Sequence, residues 1–290
     1  MSITIIGKGA WGHALYHVLS THEKEIVFWD KTSRIASDMV VLALPTNAIR
    51  DVLPFIDKKE NVFMVNSSKG IEINSHRFPY QIITDMFPGA HYFSLLGPSF
   101  AQEVIDDMPT LVNLAFRKAE FVKEIRYLFE TGFFRVRVVD GVEAVELGAA
   151  FKNIYAILCG VVQGIGFGVN TRTNIILLAY EEMSRLNKKL GHPIHQDAVL
   201  GIMGDLMLTC SSEESRNFMF GKNLATYSLQ ESLEKSKGVV EGLQSLSSVD
   251  YFVEKSGEPL VLAKLIKDIV ATAGNRDEMK KIFLQHFSYV

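Results

Sequence analysis

The sequence predicts an α/β protein in two parts: an N-terminal, mostly parallel sheet with helices, and a C-terminal domain made of helices alone. Two observations predict it. Across residues 1–140, short runs rich in Val, Ile, Phe and Leu alternate with helical patterns, and buried apolar strands separated by helices mark β-α-β units. Beyond Gly141 the strand signal stops and apolar residues recur at helical spacing. The change of period near Asp140-Gly141 divides the chain into domains 1–140 and 141–290.

The elements follow in order. Strands are expected at Ile3–Ile6, Glu25–Trp29, Met39–Leu44, Val62–Asn66, Tyr92–Leu96 and Leu111–Ala115. Phe134–Val139 alternates arginine with apolar residues and reads as an edge strand. Helices lie between most of them, as at Trp11–Ser20 and Phe121–Glu130. The second domain shows helical spacing over Glu143–Val162, Thr173–Leu190, Ala198–Thr209, Glu213–Leu224 and Pro259–Ala271, with Gly191, Gly221 and Gly257 as breaks.

Composition narrows the function. The chain has 290 residues, 48% hydrophobic and 22% charged, with a net charge of −3. Such a chain buries a core and is not disordered. It lacks the basic excess of a nucleic-acid-binding protein. Cys159 and Cys210 are too few for a disulfide framework, and no residues are spaced as a metal site. Ser2-Ile3-Thr4-Ile5-Ile6 has no basic region before it, against a signal peptide. The apolar stretch Ile154–Val169 is diluted by glycines and too short to span a bilayer. A cytoplasmic protein without membrane insertion is expected.

The first strand runs into Gly7-Lys8-Gly9-Ala10-Trp11-Gly12, and a helix follows. In that context G-x-G-x-x-G reads as a dinucleotide-binding turn of Rossmann type. Gly7 permits the turn, Gly9 admits a pyrophosphate to the backbone, and Gly12 lets helix and strand pack closely. The next strand ends at Asp30, spaced to bind a ribose 2′-hydroxyl and so favouring NAD. Lys31 beside it leaves NADP open.

Lys69 follows a strand, at the sheet edge where open α/β folds bind ligands, although spacing alone fits an ordinary loop lysine. Gly97-Pro98-Ser99-Phe100-Ala101 follows another strand, with Ser99 and Gln102 spaced as a capping box. Lys152 sits among small and apolar helical residues. Desolvation there would lower its pKa toward proton transfer; a lysine snorkelling at a domain seam is the equal alternative. Asp205 is a candidate partner for Lys152 or a capping residue. Arg216 is a candidate phosphate ligand or a surface arginine. His192 and His195 are too isolated to be assigned a role.

Taken in order, Gly7–Gly12, Ser68-Lys69-Gly70, Gly97–Ala101, Lys152-Asn153, Gly164–Gly168, Gly204-Asp205-Leu206, Ser215-Arg216-Asn217 and Val239–Gly242 carry a resemblance over nearly the whole chain. The sequence resembles the bacterial NAD(P)-dependent sn-glycerol-3-phosphate dehydrogenases. The resemblance implies reduction of dihydroxyacetone phosphate to glycerol 3-phosphate, the backbone of phospholipids, with NAD or NADP as cofactor. It implies Lys152 as general acid/base and, as catalytic residues with it, Asp205 and Lys69. Lys69, Gly97, Ser99, Lys152, Asp205, Ser215, Arg216 and Asn217 would line the substrate site. Ala10, Trp11, Lys69, Ala101, Arg216, Val239 and Glu241 would contact the dinucleotide. A homodimer is expected from the family and an exposed sheet face. The alternatives are a related reductase of another small phospho- or hydroxy-acid, or a homologue that binds nucleotide or partners without turnover.

One departure stands out. The family places a helix, a strand and a further helix where this chain has only Lys31–Asp38. Eight residues reach about 26–29 Å extended, enough to return along a sheet but not to build that unit. A shortened sheet lacking an edge strand and its helices is expected, with an adenine pocket short of a wall.

Overall fold

The computed structural model describes residues 1–23, 25–59, 61–236 and 238–287. The chain forms two compact units, Met1–Glu146 with His195–Ile202, and Leu147–Ile194 with Met203–Val290. The final residues, 288–290, lie outside the described ones.

The first unit is built on one sheet of seven strands: β1 (Ile3–Ile6), β2 (Ile26–Phe28), β3 (Met39–Leu42), β4 (Phe63–Asn66), β5 (His91–Leu96), β6 (Thr110–Phe116) and β7 (Phe134–Asp140). Their spatial order is β2-β1-β3-β4-β5-β6-β7, parallel throughout except between β5 and β6. β1 and β3 are buried at every position, which is why they read as unbroken apolar runs. β7, at one edge, alternates buried and exposed residues over its first four positions.

The helices of this unit are α1 (Ala10–Leu19), α2 (Ile49–Val52), α3 (Pro79–Met86), α4 (Ala101–Ile105) and α5 (Val122–Phe129). α1 buries Ala14, Leu15, Val18 and Leu19 against a core that includes Ile3, Val41, Phe93 and Phe129. The i, i+3, i+4 spacing of the sequence is thus spent on one face.

β2 is the other edge, and Val27 on it is 58% exposed. Residues 31–38 hold neither helix nor strand beyond a single bridge from Ile35 to Ile56. The sheet is shortened as the sequence predicts. The segment is nonetheless tied down. Asp30 Oδ1 accepts from the Thr32 and Ser33 amides at 2.8 Å each, and from the Ser33 hydroxyl at 2.9 Å. Trp29 Nε1 donates to the Ser33 carbonyl at 2.9 Å. Arg34 reaches Asp57 at 2.7 Å and the Pro54 carbonyl at 2.8 Å.

α6 (Val142–Gly164) and α8 (Gln196–Ser211) each run from the first unit into the second, which adds α7 (Val169–Lys189), α9 (Arg216–Leu224), α10 (Leu229–Lys235), α11 (Glu241–Leu246), α12 (Val249–Ser256), α13 (Val261–Val270) and α14 (Arg276–Phe287). α6 is long and apolar enough to cross a membrane, and its apolar window is fully buried in the protein. Gly191 and Gly257 end α7 and α12 with φ of +88° and +70°, the left-handed geometry glycine favours at helix ends.

Gly221 corrects the sequence reading. It lies inside α9 and breaks nothing. A Cβ on Gly221 would stand 2.0 Å from the Ile157 carbonyl oxygen, and one on Gly160 1.9 Å from that of Phe218. The two glycines let the backbones of α6 and α9 touch. α13 depends on a distant residue: Glu182 of α7, 1% exposed, accepts from the Leu262 and Ala263 amides at 2.9 and 3.1 Å and from the Tyr155 hydroxyl at 2.9 Å. It thereby caps a helix whose own N-cap, Leu260, supplies no side-chain acceptor.

Candidate active site

In the first unit the glycine turn has the shape a dinucleotide needs. Gly7 has φ +122°, and a Cβ there would lie 2.0 Å from the Ala43 carbonyl oxygen. A Cβ on Gly12 would lie 1.9 Å from the Gly7 carbonyl oxygen, whereas one on Gly9 would meet nothing within 4 Å. Two glycines are therefore demanded by packing and the third faces open space. Gly9 is also the N-cap of α1 and has no side chain to cap it. The first-turn amides of Ala10 and Trp11 are left to an anion, favoured by the helix dipole. Trp11 Nε1 is buried and has no hydrogen-bond partner among the described residues. These residues fit a bound dinucleotide.

Asp30 lies two residues beyond the end of β2, and its three hydrogen bonds, the Ser33 amide foremost, hold its carboxyl far below the usual carboxylate range. It is a fixed negative charge. Lys31 follows in a left-handed conformation, φ +76°.

At the ends of β4 and β5, Lys69 Nζ donates to the Gly97 carbonyl at 3.0 Å. The turn before it is closed by Asn66, whose Oδ1 accepts from the Ser68 amide at 2.9 Å and whose Nδ2 donates to the Ser68 carbonyl at 3.2 Å. Ser99 Oγ also donates to the Gly97 carbonyl, at 3.2 Å. The capping box expected from Ser99 and Gln102 does not form. α4 begins one residue later than that pairing requires, with Phe100 at the N-cap, and Gln102 instead donates to Asp106. The Ser99 hydroxyl is spent on the Gly97 carbonyl, and the helix starts at Ala101.

In the second unit Lys152 is 5% and Asp205 2% exposed, and Nζ donates to Oδ1 across 2.5 Å. Thr209, one turn beyond Asp205 on α8, accepts from Nζ at 2.8 Å and donates to the Asp205 carbonyl at 2.7 Å. The expected desolvation of Lys152 is real, and the charge is paired rather than left alone, as burial demands. Thr209 escapes the sequence reading. Its i+4 spacing from Asp205 is the signal that finds it.

Ser215 caps α9 by accepting from the Phe218 amide at 3.3 Å. α9 starts at Arg216, three residues later than the apolar spacing suggests, because the cap fixes the start. Asn217 is engaged: Nδ2 donates to Asn153 Oδ1 at 3.0 Å, and Oδ1 accepts from the Gly242 amide at 2.9 Å. Asn153 in turn donates to Glu241 at 3.2 Å. A Cβ on Gly242 would stand 2.3 Å from the Asn153 carbonyl oxygen. The Arg216 guanidinium lies over Gly238, whose φ is +149°. The second unit thus gathers Lys152, Asp205 and Thr209 in one cluster, and Asn153, Asn217, Glu241 and Gly242 in another. Val239, 37% exposed, lies beside the glycine that Arg216 covers.

A parallel sheet opening on a glycine turn that suits a dinucleotide, followed by helices built around a buried lysine, defines a dinucleotide-dependent oxidoreductase. Comparison with known proteins sharpens the class. The profile described as the C-terminus of NAD-dependent glycerol-3-phosphate dehydrogenase matches residues 141–281, and that of the N-terminus matches 32–122. The chain belongs to the NAD-dependent glycerol-3-phosphate dehydrogenase family. It is 31% identical to a glycerol-3-phosphate dehydrogenase (NAD(P)+) of Lawsonia intracellularis, over 93% of this chain and 89% of that one. It is 30% identical to the enzyme of the same name from Bacillus cereus, over 94% and 92%. The crystal structure of glycerol-3-phosphate dehydrogenase from Coxiella burnetii superposes with a TM-score of 0.86 at 25% identity, covering 98% of both chains.

Proposed function

We propose that the protein reduces dihydroxyacetone phosphate to sn-glycerol 3-phosphate with NADH or NADPH, residues 1–140 serving the dinucleotide and 141–290 the substrate. The observation that carries this reading is the buried Lys152–Asp205 pair with Thr209, set in a chain whose relatives are named for that reaction.

When bound, the reduced nicotinamide supplies a hydrogen with its electron pair to C2 of the ketone. The chain's own residues do the rest. Lys152 Nζ gives a proton to the carbonyl oxygen as negative charge develops there. Asp205 and Thr209 hold Nζ in one direction, so the proton is offered at a fixed point. Arg216 and the amides at the α9 N-terminus bind the substrate phosphate and orient the carbonyl. Asn217 serves through its backbone amide, since its side chain is spent on Asn153 and Gly242. Lys69, Gly97 and Ser99 complete the substrate contacts. Gly7, Gly9, Ala10, Trp11, Gly12, Asp30, Lys31, Lys69, Ala101, Arg216, Val239 and Glu241 serve the dinucleotide. The protein works in the cytosol, as a homodimer and without membrane insertion.

The test is oxidation of NADH and NADPH by the purified protein with dihydroxyacetone phosphate. Turnover supports the reading. Turnover only with another phospho- or hydroxy-acid points to a related reductase, and dinucleotide binding without any turnover to a non-catalytic homologue.

A further inference from the structure

The first unit buries a carboxyl group that the mechanism above does not use. Glu146, in the second turn of α6, is 1% exposed. Its Oε1 accepts from the hydroxyls of Tyr92 and Ser94 on β5, and from Asn66 Nδ2 at 3.3 Å. Its Oε2 accepts from the Tyr80 amide at 3.0 Å, in the first turn of α3. Four donors from three elements converge on one side chain, and no salt bridge balances it among the described residues.

One of those donors leads to the site. Asn66 ends β4, is fully buried, and its side chain closes the turn at Ser68. Ser67 anchors the same turn through its amide and hydroxyl to the Leu42 carbonyl, at 2.9 and 2.7 Å. Lys69 is the next residue after the Ser68 turn. An amide side chain turned over at Asn66 would face donor to donor and acceptor to acceptor at Ser68. Glu146, by accepting only from Nδ2, fixes which way Asn66 points.

We propose that Glu146 is a positioning residue of the substrate site, acting through Asn66 to hold the turn that carries Lys69. The inference rests on the functional reading above, in which Lys69 contacts the substrate.

Burial raises the Glu146 carboxyl to about 7, against its four hydrogen bonds, which lower it. The titratable and charged groups around it are Tyr92 on β5, Tyr80 on α3, Glu143 on α6 and Arg117 after β6. Arg117 pairs with Glu143 at 3.4 Å and lies 5.4 Å from the Tyr80 ring centre. The carboxyl therefore changes its hydrogen-bonding capacity near neutral pH, and the hold on Asn66 changes with it.

The test compares wild type, Glu146→Gln, Asn66→Ala and the double variant. An amide at 146 sets an NH2 against either the Tyr80 amide or the three donors at Oε1. Glu146→Gln is expected to raise KM for dihydroxyacetone phosphate about tenfold, with kcat within about threefold. The pH dependence of KM near 7 should flatten. Asn66→Ala should raise KM similarly, and the double variant should add nothing further, because the two residues act in series. A folded Glu146→Gln with wild-type KM and pH profile overturns the proposal, as does a double variant whose effects multiply. If Glu146→Gln does not fold, Asn66→Ala decides alone: an unchanged KM overturns the proposal and a raised one supports it. If wild type does not turn over, the functional reading has failed instead. The dissociation constant of glycerol 3-phosphate, measured calorimetrically on the four proteins, then takes the place of KM.

Discussion

Lys152 Nζ and Asp205 Oδ1 lie 2.5 Å apart between side chains almost entirely removed from water, on α6 and α8. Removing one member leaves the other buried and uncompensated, which costs about 3–5 kcal/mol. Asp205→Ala is therefore expected to lose roughly that much stability in urea unfolding. The residual folded enzyme should also lose activity, because Lys152 then lacks the carboxylate that fixes the direction of Nζ.

The contact of α6 with α9 is backbone on backbone. In an exposed helix, Gly→Ala gains about 1 kcal/mol. At Gly221 the added methyl would meet a carbonyl oxygen at 2.0 Å, and overpacking costs about 1–3 kcal/mol or more. The clash wins, since neither backbone can step aside. Gly221→Ala should lower Tm, as should Gly160→Ala, while Gly132→Ala, with nothing within 4 Å of its Cβ position, should not.

Asp30 is ionised at every working pH because three hydrogen bonds from the 32–33 turn stabilise its charge. A 2′-phosphate would meet that charge directly. NADH is expected to be used at least about tenfold more efficiently than NADPH, roughly 1.4 kcal/mol. Asp30→Ser, which keeps a short acceptor for the turn, should narrow the ratio. Steady-state kinetics with both nucleotides measures it.

Stability should fall as pH rises from 5 to 8. Burial raises the carboxyls of Glu146, to about 7, and of Glu182. In this window the folded protein holds more protons than the unfolded chain, so raising pH favours unfolding. The stability is fully present below the ordinary carboxylate range and is lost through about 7. Thermal melts across this range should show the decline, and Glu146→Gln should flatten it.

The strands and the mostly parallel sheet are legible because strands buried on both faces read as apolar runs, and β1 and β3 are of that kind. The glycine turn is legible because strand, turn and helix are contiguous. Gly160 and Gly221 are not. Their reason is a neighbouring helix more than fifty positions away, and locally a glycine looks like a break. Ser99 fails as a cap for the converse reason: its spacing to Gln102 is right, but the backbone begins the helix at Ala101. Glu146 and Glu182 look like ordinary helical acids. Only the fold shows that one collects donors from β4, β5 and α3, while the other caps α13.

The central claim is that Lys152 supplies the proton in ketone reduction, and Lys152→Ala tests it most directly. Single-turnover oxidation of bound NADH by dihydroxyacetone phosphate should slow about 10²–10⁴-fold, with the NADH dissociation constant unchanged in a folded variant. A folded Lys152→Ala enzyme that oxidises NADH within about threefold of the wild-type rate would contradict it.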